Sequence, residues 1–361
     1  MIIARPLHLL CLAAAAPVIF SGCDAEQAAV PTTRIAFGSC GHQDLPQPVL
    51  RLAADQNPDA FVFLGDNIYA DTDDMADLRD KYQRLGSKPE FQRLASTARI
   101  LATWDDHDYG RNDGGESYPF KAESKEIFLE FFREPAASER RKRPGIYQTE
   151  YIRVGSRVIQ VILLDVRTFR SDLLPYDGKN PRSAEAFFYH PEFSPHTSPD
   201  RTMLGEEQWK WLEGELKKPA DLRLICSGAQ FAPEYNGYEA WANFPLEQQR
   251  MLDLIKSTRA DGVIFLTGDV HYAEISRLVA PGLYPLYDIT SSGITSTWKF
   301  ATPNANRIEG PVMDNHFGLL TVKWEKDPVI RMEIIDKSSN SRIEYTIKAS
   351  ELRLSKRKIY P

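Results

Sequence analysis

The chain has little of what several protein classes require. Its 361 residues include only four cysteines, too few for a domain held together by disulfide bonds. Basic residues are not in excess, since 44 Lys and Arg face 50 Asp and Glu and the formal net charge is −6. This balance argues against a protein that binds nucleic acid by broad phosphate neutralisation. With 42% hydrophobic and 26% charged residues, the composition also excludes disorder of the whole chain.

Long hydrophobic runs are also missing, except near the N terminus. Arg5 precedes an apolar, Ala-rich run from Leu7 to Phe20, which has the length of a secretory signal and is too short to span a bilayer. The small residues before Cys23 resemble a bacterial lipoprotein cleavage site. We therefore predict a lipoprotein signal peptide over residues 1–22, lipid on Cys23, a tether over residues 23–33, and a membrane-anchored location on the exported, periplasmic side. The alternative is an ordinary cleaved signal in which Cys23 is incidental.

Beyond the tether, short apolar runs alternate with helical patterns, and neither a repeat nor a Gly/Ser-rich linker divides the chain. A β-hairpin is predicted around Gly155 and Ser156. The Pro-rich stretch 176–199 lacks periodicity and is predicted to be a long excursion, a kind of loop that is often functional. Alternating strands and helices followed by late strands predict an α/β fold, a sandwich of two packed mixed sheets in a single domain over residues 34–361.

Four of the predicted buried strands end in residues that can bind metal ions. In chain order, the four ends carry Cys40; Asp66 and Tyr69; Asp106 and His107; and Asp269 and His271. Because ligand sites in α/β sheets lie beyond the carboxyl ends of the strands, the four ends together indicate one shared metal centre. Asp and His suit hard or borderline divalent ions, whereas phenolate and thiolate suit an ion such as iron.

Taken singly, each of these residues has another interpretation. An Asp after a strand-ending Gly is commonly a helix cap or an Asx-turn residue. His107 could be a hydrogen-bonded core histidine, Tyr69 could be half-buried packing, and Cys40 could form a disulfide with Cys226. The joint occurrence of Gly-Asp-x-x-Tyr, Asp-Asp-His-Asp and Gly-Asp-x-His, each after an apolar run, favours the metal centre.

As a set, these motifs resemble the alkaline phosphatase D (PhoD-like) family of calcineurin-like metallophosphoesterases. The segments that carry the resemblance are Phe37-Gly-Ser-Cys, Leu64-Gly-Asp-Asn-Ile-Tyr, Thr103-Trp-Asp-Asp-His-Asp-Tyr-Gly, Leu164-Asp-Val-Arg-Thr-Phe-Arg-Ser, Leu204-Gly-Glu-Glu-Gln-Trp-Lys-Trp-Leu and Leu266-Thr-Gly-Asp-Val-His. The resemblance implies a four-layer α/β/β/α sandwich and hydrolysis of phosphoesters at a centre of two or three metal ions. Many longer members carry an extra N-terminal β-domain, whereas here the first motif follows the tether almost directly.

The resemblance also implies roles for the residues of the first two motifs. Asp66 would be the carboxylate that bridges two metal ions. Tyr69 matches the position of a phenolate on ferric iron, and Cys40 replaces the superfamily's usual Asp-x-His as a further iron ligand.

For the later motifs, the resemblance implies a second metal position rich in oxygen ligands. Asp106 occupies the position of an Asn in the superfamily, and Asp269 and His271 match the last motif. The middle His motif would fall near Gly228-Ala-Gln230, where this chain has no His. Because a carboxylate-rich site favours calcium, the expected cofactors are Fe³⁺ and Ca²⁺.

The ligand types suggest how such a centre would work. Two cations bridged by Asp66 would bind the phosphoryl oxygens and lower the pKa of a bound water, which would attack phosphorus in line. His107, the residue after Asp106, is the candidate proton donor to the leaving alkoxide. Asp105 or Asp108 is expected to orient its ring.

Two arginines and the choice of substrate remain to be assigned. Arg167 and Arg170 follow a predicted strand and could either grip a phosphate or pair with surface carboxylates. The candidate functions are a phosphomonoesterase, a phosphodiesterase of phospholipase D-like type, and a non-catalytic lipoprotein that binds a ligand for a transporter. The expected partner is a phosphoester, either a small molecule or a lipid head group, and no nucleic-acid-binding role is expected. Openness of the site near 176–199 and Trp298 to Phe300 would separate the two enzymes.

Overall fold

The computed structural model describes residues 30–178, 191–235 and 237–354. The predicted signal peptide, Cys23 and most of the predicted tether lie outside these residues, as does the middle of the stretch 176–199. From Pro31 on, the chain is one compact unit.

Strands and helices alternate through the first two thirds of the chain, and strands dominate the last third. The strands are β1 (Thr32–Gly38), β2 (Ala60–Leu64), β3 (Arg99–Thr103), β4 (Gln148–Val154), β5 (Arg157–Leu163), β6 (Leu174–Pro175), β7 (Phe193–Ser194), β8 (Leu222–Ser227), β9 (Val263–Thr267), β10 (Ala273–Leu278), β11 (Leu286–Ser291), β12 (Arg307–Val312), β13 (His316–Lys323), β14 (Val329–Asp336) and β15 (Ser341–Lys348). The helices are α1 (Pro48–Asp55), α2 (Met75–Ser87), α3 (Pro89–Thr97), α4 (Asp106–Tyr109), α5 (Lys121–Phe131), α6 (Glu139–Lys142), α7 (Gly205–Leu216) and α8 (Pro245–Thr258). Short 3₁₀ helices cover Trp241–Asn243 and Ala349–Leu352.

These strands form two mixed sheets. The first has the order β15-β14-β13-β1-β2-β3, in which β1, β2 and β3 are parallel. The second has the order β12-β10-β11-β9-β8-β5-β4, with β5, β8, β9 and β11 parallel. The predicted hairpin is confirmed, because β4 and β5 pair on either side of Gly155 and Ser156. A small antiparallel ribbon pairs β6, just before the Pro-rich stretch 176–199, with β7 in its second half.

Side-chain alternation along the strands separates two cores. On β1, Ile35 and Phe37 join the core between the sheets, whereas Ala36 packs in the core under α1 and α2. The same alternation places Val62 in the first core and Phe63 in the second. Because α7 and α8 cover the second sheet, the layers run helix, sheet, sheet, helix, which confirms the predicted four-layer sandwich.

Local sequence explains where several helices begin. Pro48, Pro89 and Pro245 each stand in the first turn of α1, α3 and α8, where the missing N–H of proline costs nothing. The side chain of Asp74 caps α2 by accepting a hydrogen bond from the backbone N–H of Ala76 at 2.8 Å. Within the described ranges, no helix has the length and apolarity needed to cross a membrane.

The two sheets come together at the carboxyl ends of their parallel strands. Just beyond β1, the N–H of Ser39 donates to the carbonyl of Ser291 at 3.0 Å, and Ser39 forms a bridge with Ser292. This junction places the loops after β1, β2 and β3 of one sheet beside those after β8, β9 and β11 of the other.

Candidate metal centre

The residues predicted to bind metal follow strands of both sheets. Cys40, Asp66 and Asp106 follow β1, β2 and β3 of the first sheet, and Asp269 and His271 follow β9 of the second. The predicted metal centre therefore lies where the two sheets meet, because neither sheet alone supplies all of the candidate ligands.

Four of the candidate ligands have left-handed backbone, as do the nearby Asp71 and Asp113. Cys40, Asp66, Asp269 and His271 all have positive φ angles of 60°, 49°, 76° and 56°. Residues with side chains adopt this left-handed region uncommonly, Asn, Asp and His more often than others, and such residues cluster at functional sites. Four such residues at one edge indicate that the loop conformations there position side chains at a local energetic cost.

Two glycines allow the strand ends to approach one another closely. Gly65, at φ +105°, precedes Asp66, and a Cβ there would lie 2.6 Å from the backbone nitrogen of Asp105. A Cβ on Gly228, after β8, would lie 2.4 Å from a carboxylate oxygen of Asp105. The position predicted for the family's middle His motif is thus packed against Asp105, while Gln230 turns away and donates to Glu274 at 3.0 Å.

The first cluster of candidate ligands combines a thiol, a carboxylate and an imidazole. Ligand atoms of Cys40, Asp66 and His271 lie within 4.8 Å of one another, and the Tyr69 hydroxyl lies 3.3 Å from Nε2 of His271. Cys40 Sγ is 3.0 Å from Ser292 Oγ. Cys40 and Cys226 are both free, so the alternative of a disulfide between them is wrong.

Burial and nearby negative charge disfavour the ionised forms of the thiol and the phenol when no cation is present. Burial, and to a lesser extent the charge of Asp269, raises the pKa of the Cys40 thiol to about 12. Burial and the nearby Cys40 and Asp66 raise the pKa of Tyr69 well above its ordinary value. Thiolate and phenolate would therefore form only together with a bound cation.

A second cluster joins the first through Asp66. Ligand atoms of Asp66, Asp106 and His107 also lie within 4.8 Å of one another, which is the geometry expected of a shared carboxylate. The ring of His107 packs on Tyr69 with centroids 4.2 Å apart. Its Nδ1 contacts the carboxylate of Asp71 at 2.8 Å.

The partner of His107 differs from the one expected from the sequence. Neither Asp105 nor Asp108 hydrogen-bonds the ring; Asp71, from the loop after β2, does so. Burial alone would lower the pKa of His107, but the hydrogen bond with Asp71 and the charge of Asp106 outweigh it and raise the pKa to about 9. Several Asp residues follow β2, and the sequence does not indicate which of their carboxylates contacts the ring of His107.

Asp108 instead holds the backbone of the metal loops. Its carboxylate accepts hydrogen bonds from the backbone N–H groups of Asp66 at 3.2 Å, Asn67 at 3.3 Å and Asp105 at 2.7 Å. It also accepts from the Tyr82 hydroxyl at 3.2 Å. One buried side chain thus ties the end of β2 to the end of β3.

Three further carboxylates extend the centre. Asp105 lies with Asp106 and Asp269 in one cluster, and Asp113 and Glu239 lie with Asp106 in another. The sequence indicates Asp105 only as a residue that could orient His107, and no motif in it marks Asp113 or Glu239. Glu239 lies on the long segment between β8 and α8, with no local motif to mark it.

Arg167 and Arg170 lie deep in the protein among these carboxylates. Arg167 forms ion pairs with Asp105 and, at 2.8 Å, with Glu239, and Arg170 lies 3.2 Å from Glu239. Both guanidinium groups have no exposed surface, so their partners are buried carboxylates rather than the surface ones considered from the sequence. The predicted grip of these two arginines on a phosphate stays a prediction.

Negative charge exceeds positive charge at this edge. Six carboxylates share the space with the two guanidinium groups, namely Asp66, Asp105, Asp106, Asp113, Asp269 and Glu239. Burial and mutual repulsion raise the pKa of Asp66 and of Asp269 well above the ordinary value. Buried oxygens of Asp66 (Oδ1) and Asp105 (Oδ2) have no hydrogen-bond donor.

This arrangement fits bound cations. A buried carboxylate oxygen without a donor is costly, and multivalent cations would supply both the missing partner and the missing charge. The oxygen-rich side of the centre has the donor chemistry of a calcium site. The side with Cys40, Tyr69 and His271 offers the softer donors that suit iron.

Comparison with known proteins gives the same picture for the chain as a whole. A family model described as PhoD-like phosphatase matches residues 35–316. Alkaline phosphatase D of Bacillus subtilis (strain 168) is 25% identical in an alignment of 300 residues that covers 70% of this chain and 48% of that protein. The chain thus spans about half the length of this curated relative.

Solved structures share the fold. One described as the structure of PhoD matches with a TM-score of 0.66 at 18% identity, covering 92% of this chain and 73% of the other. Purple acid phosphatase PPD1 from yellow lupin (Lupinus luteus) seeds matches with a TM-score of 0.60 at 14% identity, covering 88% and 54%. At these identities the likeness concerns the fold.

The network around Asp108 predicts a large effect on stability. Asp108→Ala should lower the free energy of unfolding by about 3 kcal/mol or more, because several buried donors, including three backbone N–H groups, lose their acceptor. The measurement is denaturant unfolding of the metal-free protein. Asp80→Ala is the matched control; its side chain is 60% exposed and pairs with Arg84 on α2, so a change within about 0.5 kcal/mol is expected. Equal unfolding midpoints for the two variants would contradict the assigned role.

Proposed function

The chain belongs to the PhoD-like phosphatase family, and from this premise we propose that it is a metal-dependent phosphoesterase that hydrolyses phosphomonoesters, phosphodiesters or both. The observation that carries the proposal is the convergence of Cys40, Asp66 and His271, whose ligand atoms lie within 4.8 Å of one another. These residues come from three distant motifs, and Asp66 also belongs to the neighbouring cluster with Asp106.

We assign two metal positions that share Asp66. Cys40, Tyr69 and His271 would hold Fe³⁺ on one side, and Asp106 and Asp269 would hold Ca²⁺ on the other, with Asp105 now added as a candidate oxygen ligand. When bound, such ions supply Lewis acidity toward the phosphoryl oxygens and a water acidic enough to act as the nucleophile. The distance between the two clusters is short enough for one carboxylate to serve both.

His107 is proposed to move the proton to the leaving oxygen. Its Nδ1 faces Asp71, which leaves Nε2 free to carry a proton toward a substrate. The contact with Asp71 fixes the ring and favours the protonated form, which a general acid needs. Packing against Tyr69 at 4.2 Å keeps the ring beside the proposed iron position.

Arg167 and Arg170 are proposed to act through the carboxylates that they touch. By pairing with Asp105 and Glu239, they offset part of the negative charge and hold the oxygens in place. Removal of Arg167 would leave the buried carboxylate of Asp105 without its guanidinium partner, which is strongly destabilising, whereas Glu239 pairs with both arginines.

Export and lipid attachment belong to the proposal as well. Their support is the apolar run before Ser21-Gly22-Cys23, followed by a tether of about ten residues that would reach roughly 33–36 Å when extended. A phospholipase D-like preference for lipid head groups is the alternative for the substrate. A non-catalytic lipoprotein would need a hinge between two similar lobes, and the part of the chain from Pro31 to Leu354 is a single compact unit.

The metal assignment predicts what the purified protein contains. We expect iron and calcium and little zinc, measured by elemental analysis, with a visible colour from charge transfer between Tyr69 and Fe³⁺. Tyr69→Phe should bleach the colour while retaining calcium, and Asp66→Asn should lose both metals because the shared carboxylate is gone. Stoichiometric zinc without iron, or normal metal content in Asp66→Asn, would refute the assignment.

The role of His107 predicts a different outcome. His107→Ala should keep its metals and lose turnover by roughly 10²–10⁴-fold, the usual contribution of a general acid. The loss should shrink for esters with good leaving groups, which need little protonation. His42→Ala serves as a matched control, since His42 also stacks on Tyr69, with centroids 5.3 Å apart, but has no assigned proton-transfer role. If His107→Ala loses metal, His107 is a ligand instead.

The anchor proposal is tested by fractionation. Wild-type protein should sediment with membranes and carry lipid on Cys23, and Cys23→Ala should appear in the soluble exported fraction with its specific activity unchanged. A single acyl chain gives only marginal binding, so stable attachment requires two or more chains. A wild-type protein that is already soluble and carries no lipid would contradict the anchor proposal and indicate that residues 1–22 are an ordinary signal peptide.

A further inference from the structure

Three aromatic rings line the side of the candidate centre next to His271. Trp298 packs against the His271 ring with centroids 5.3 Å apart, and Phe300 stacks on Trp298 at 5.0 Å with the two planes only 10° apart. Tyr238 closes the group at 5.4 Å from Trp298. We call Tyr238, Trp298 and Phe300 the aromatic platform.

The platform is held firmly rather than carried on a loose loop. The N–H of Trp298 donates to the carbonyl of His271 at 2.9 Å, so the platform is tied directly to a proposed metal ligand. Before it, the N–H of Ser296 donates to the carbonyl of Cys40 at 3.2 Å. After it, the Thr302 hydroxyl meets that of Tyr272 at 2.7 Å. A rigid surface of this kind binds a ligand without a large ordering cost.

The outer ring of the platform remains open to solvent. Phe300 is 42% exposed, although one part of its ring already stacks on Trp298. Rings in proteins prefer offset-parallel or edge-to-face neighbours at 4.5–7 Å, and the step from His271 to Trp298 to Phe300 follows that spacing. The aromatic platform therefore runs outward from a proposed metal ligand to a solvent-exposed ring, and a planar group bound beside His271 would lie next to its aromatic surface.

We propose that the aromatic platform binds the organic group of the substrate, and that this group is a planar ring, such as an aryl group or a nucleobase. The inference rests on the proposed function, because the phosphoryl group would sit at the metal centre beside His271. A planar ring would gain stacking energy on parallel faces, whereas a flexible alkyl chain would gain contact area alone and lose rotamer freedom.

Binding of two matched phosphonates tests the proposal without requiring turnover. Benzylphosphonate and cyclohexylmethylphosphonate carry the same anion and rings of similar size, but only the first ring is aromatic. For the metal-loaded full-length protein, calorimetry should show benzylphosphonate binding about tenfold more tightly, the scale of one aromatic contact. Equal affinities, or tighter binding of decylphosphonate than of benzylphosphonate, would overturn the proposal, the latter in favour of a lipid chain.

Variants separate ring recognition from simple support of His271. The Phe300 ring stacks on Trp298 rather than on His271. Phe300→Leu should therefore reduce the preference for benzylphosphonate to about twofold without disturbing His271, and Trp298→Leu should reduce it to the same extent. Trp298→Phe should restore most of the preference. The matched control is Val279→Ala, a 69% exposed apolar residue just past the far end of β10, which should leave the preference unchanged. A preference that survives both leucine variants would show that the platform is only packing.

Hydrolysis assays then distinguish the source of the ring and the two proposals. Faster hydrolysis of adenosine 5′-monophosphate than of ribose 5-phosphate, by about tenfold in kcat/KM, would indicate a nucleobase, whereas a preference confined to benzyl phosphate over cyclohexylmethyl phosphate would indicate an aryl group. Ring-dependent phosphonate binding without hydrolysis of any ester would refute the phosphoesterase function and leave the platform standing. Hydrolysis without any ring preference would refute the role of the aromatic platform and leave the phosphoesterase function standing.

Discussion

Repulsion among buried carboxylates is the main constraint on the candidate metal centre and on the loops that form it. Among the described residues, the six carboxylates of the candidate metal clusters meet where the two sheets join, and the buried guanidinium groups of Arg167 and Arg170 contact them. Removing like charges from water is costly unless a counter-charge is close. Arg167 and Arg170 offset part of that charge, and the oxygens without a donor mark where cations would offset the rest. Metal binding and the proposed catalysis would thus draw on the same unbalanced charge.

The fold supplies the mechanical side of that arrangement. Strands from both sheets end at one edge, and the bridge between Ser39 and Ser292 locks the two sets of loops together. Left-handed backbone at Cys40, Asp66 and Asp269 is a local cost, which the surrounding hydrogen bonds, those of Asp108 above all, are placed to hold. Strained loops on two rigid sheets give a centre whose side chains are aimed before any ion or substrate arrives.

The same edge also separates chemical tasks by direction. Carboxylates gather on the side of Arg167, the thiol, phenol and imidazole groups on the side of His271, and the aromatic platform continues outward from His271. Phosphate chemistry and recognition of the organic group would therefore occupy neighbouring but different surfaces. The hydrogen bond from Trp298 to the carbonyl of His271 links the two.

Local sequence by itself indicated the buried strands, the hairpin at Gly155 and Ser156, and the motif residues from Cys40 to His271, because buried strands and the residues that end them leave short-range patterns. The sequence also indicated a metal centre, since several such ends carry metal-binding side chains. Only the tertiary structure decided that Asp71 rather than Asp105 or Asp108 contacts His107, that Arg167 is buried in ion pairs, and that Asp113 and Glu239 join the centre. Those contacts join residues on separate loops, and a loop's sequence does not specify which of several equivalent carboxylates will face a given partner once two sheets have packed.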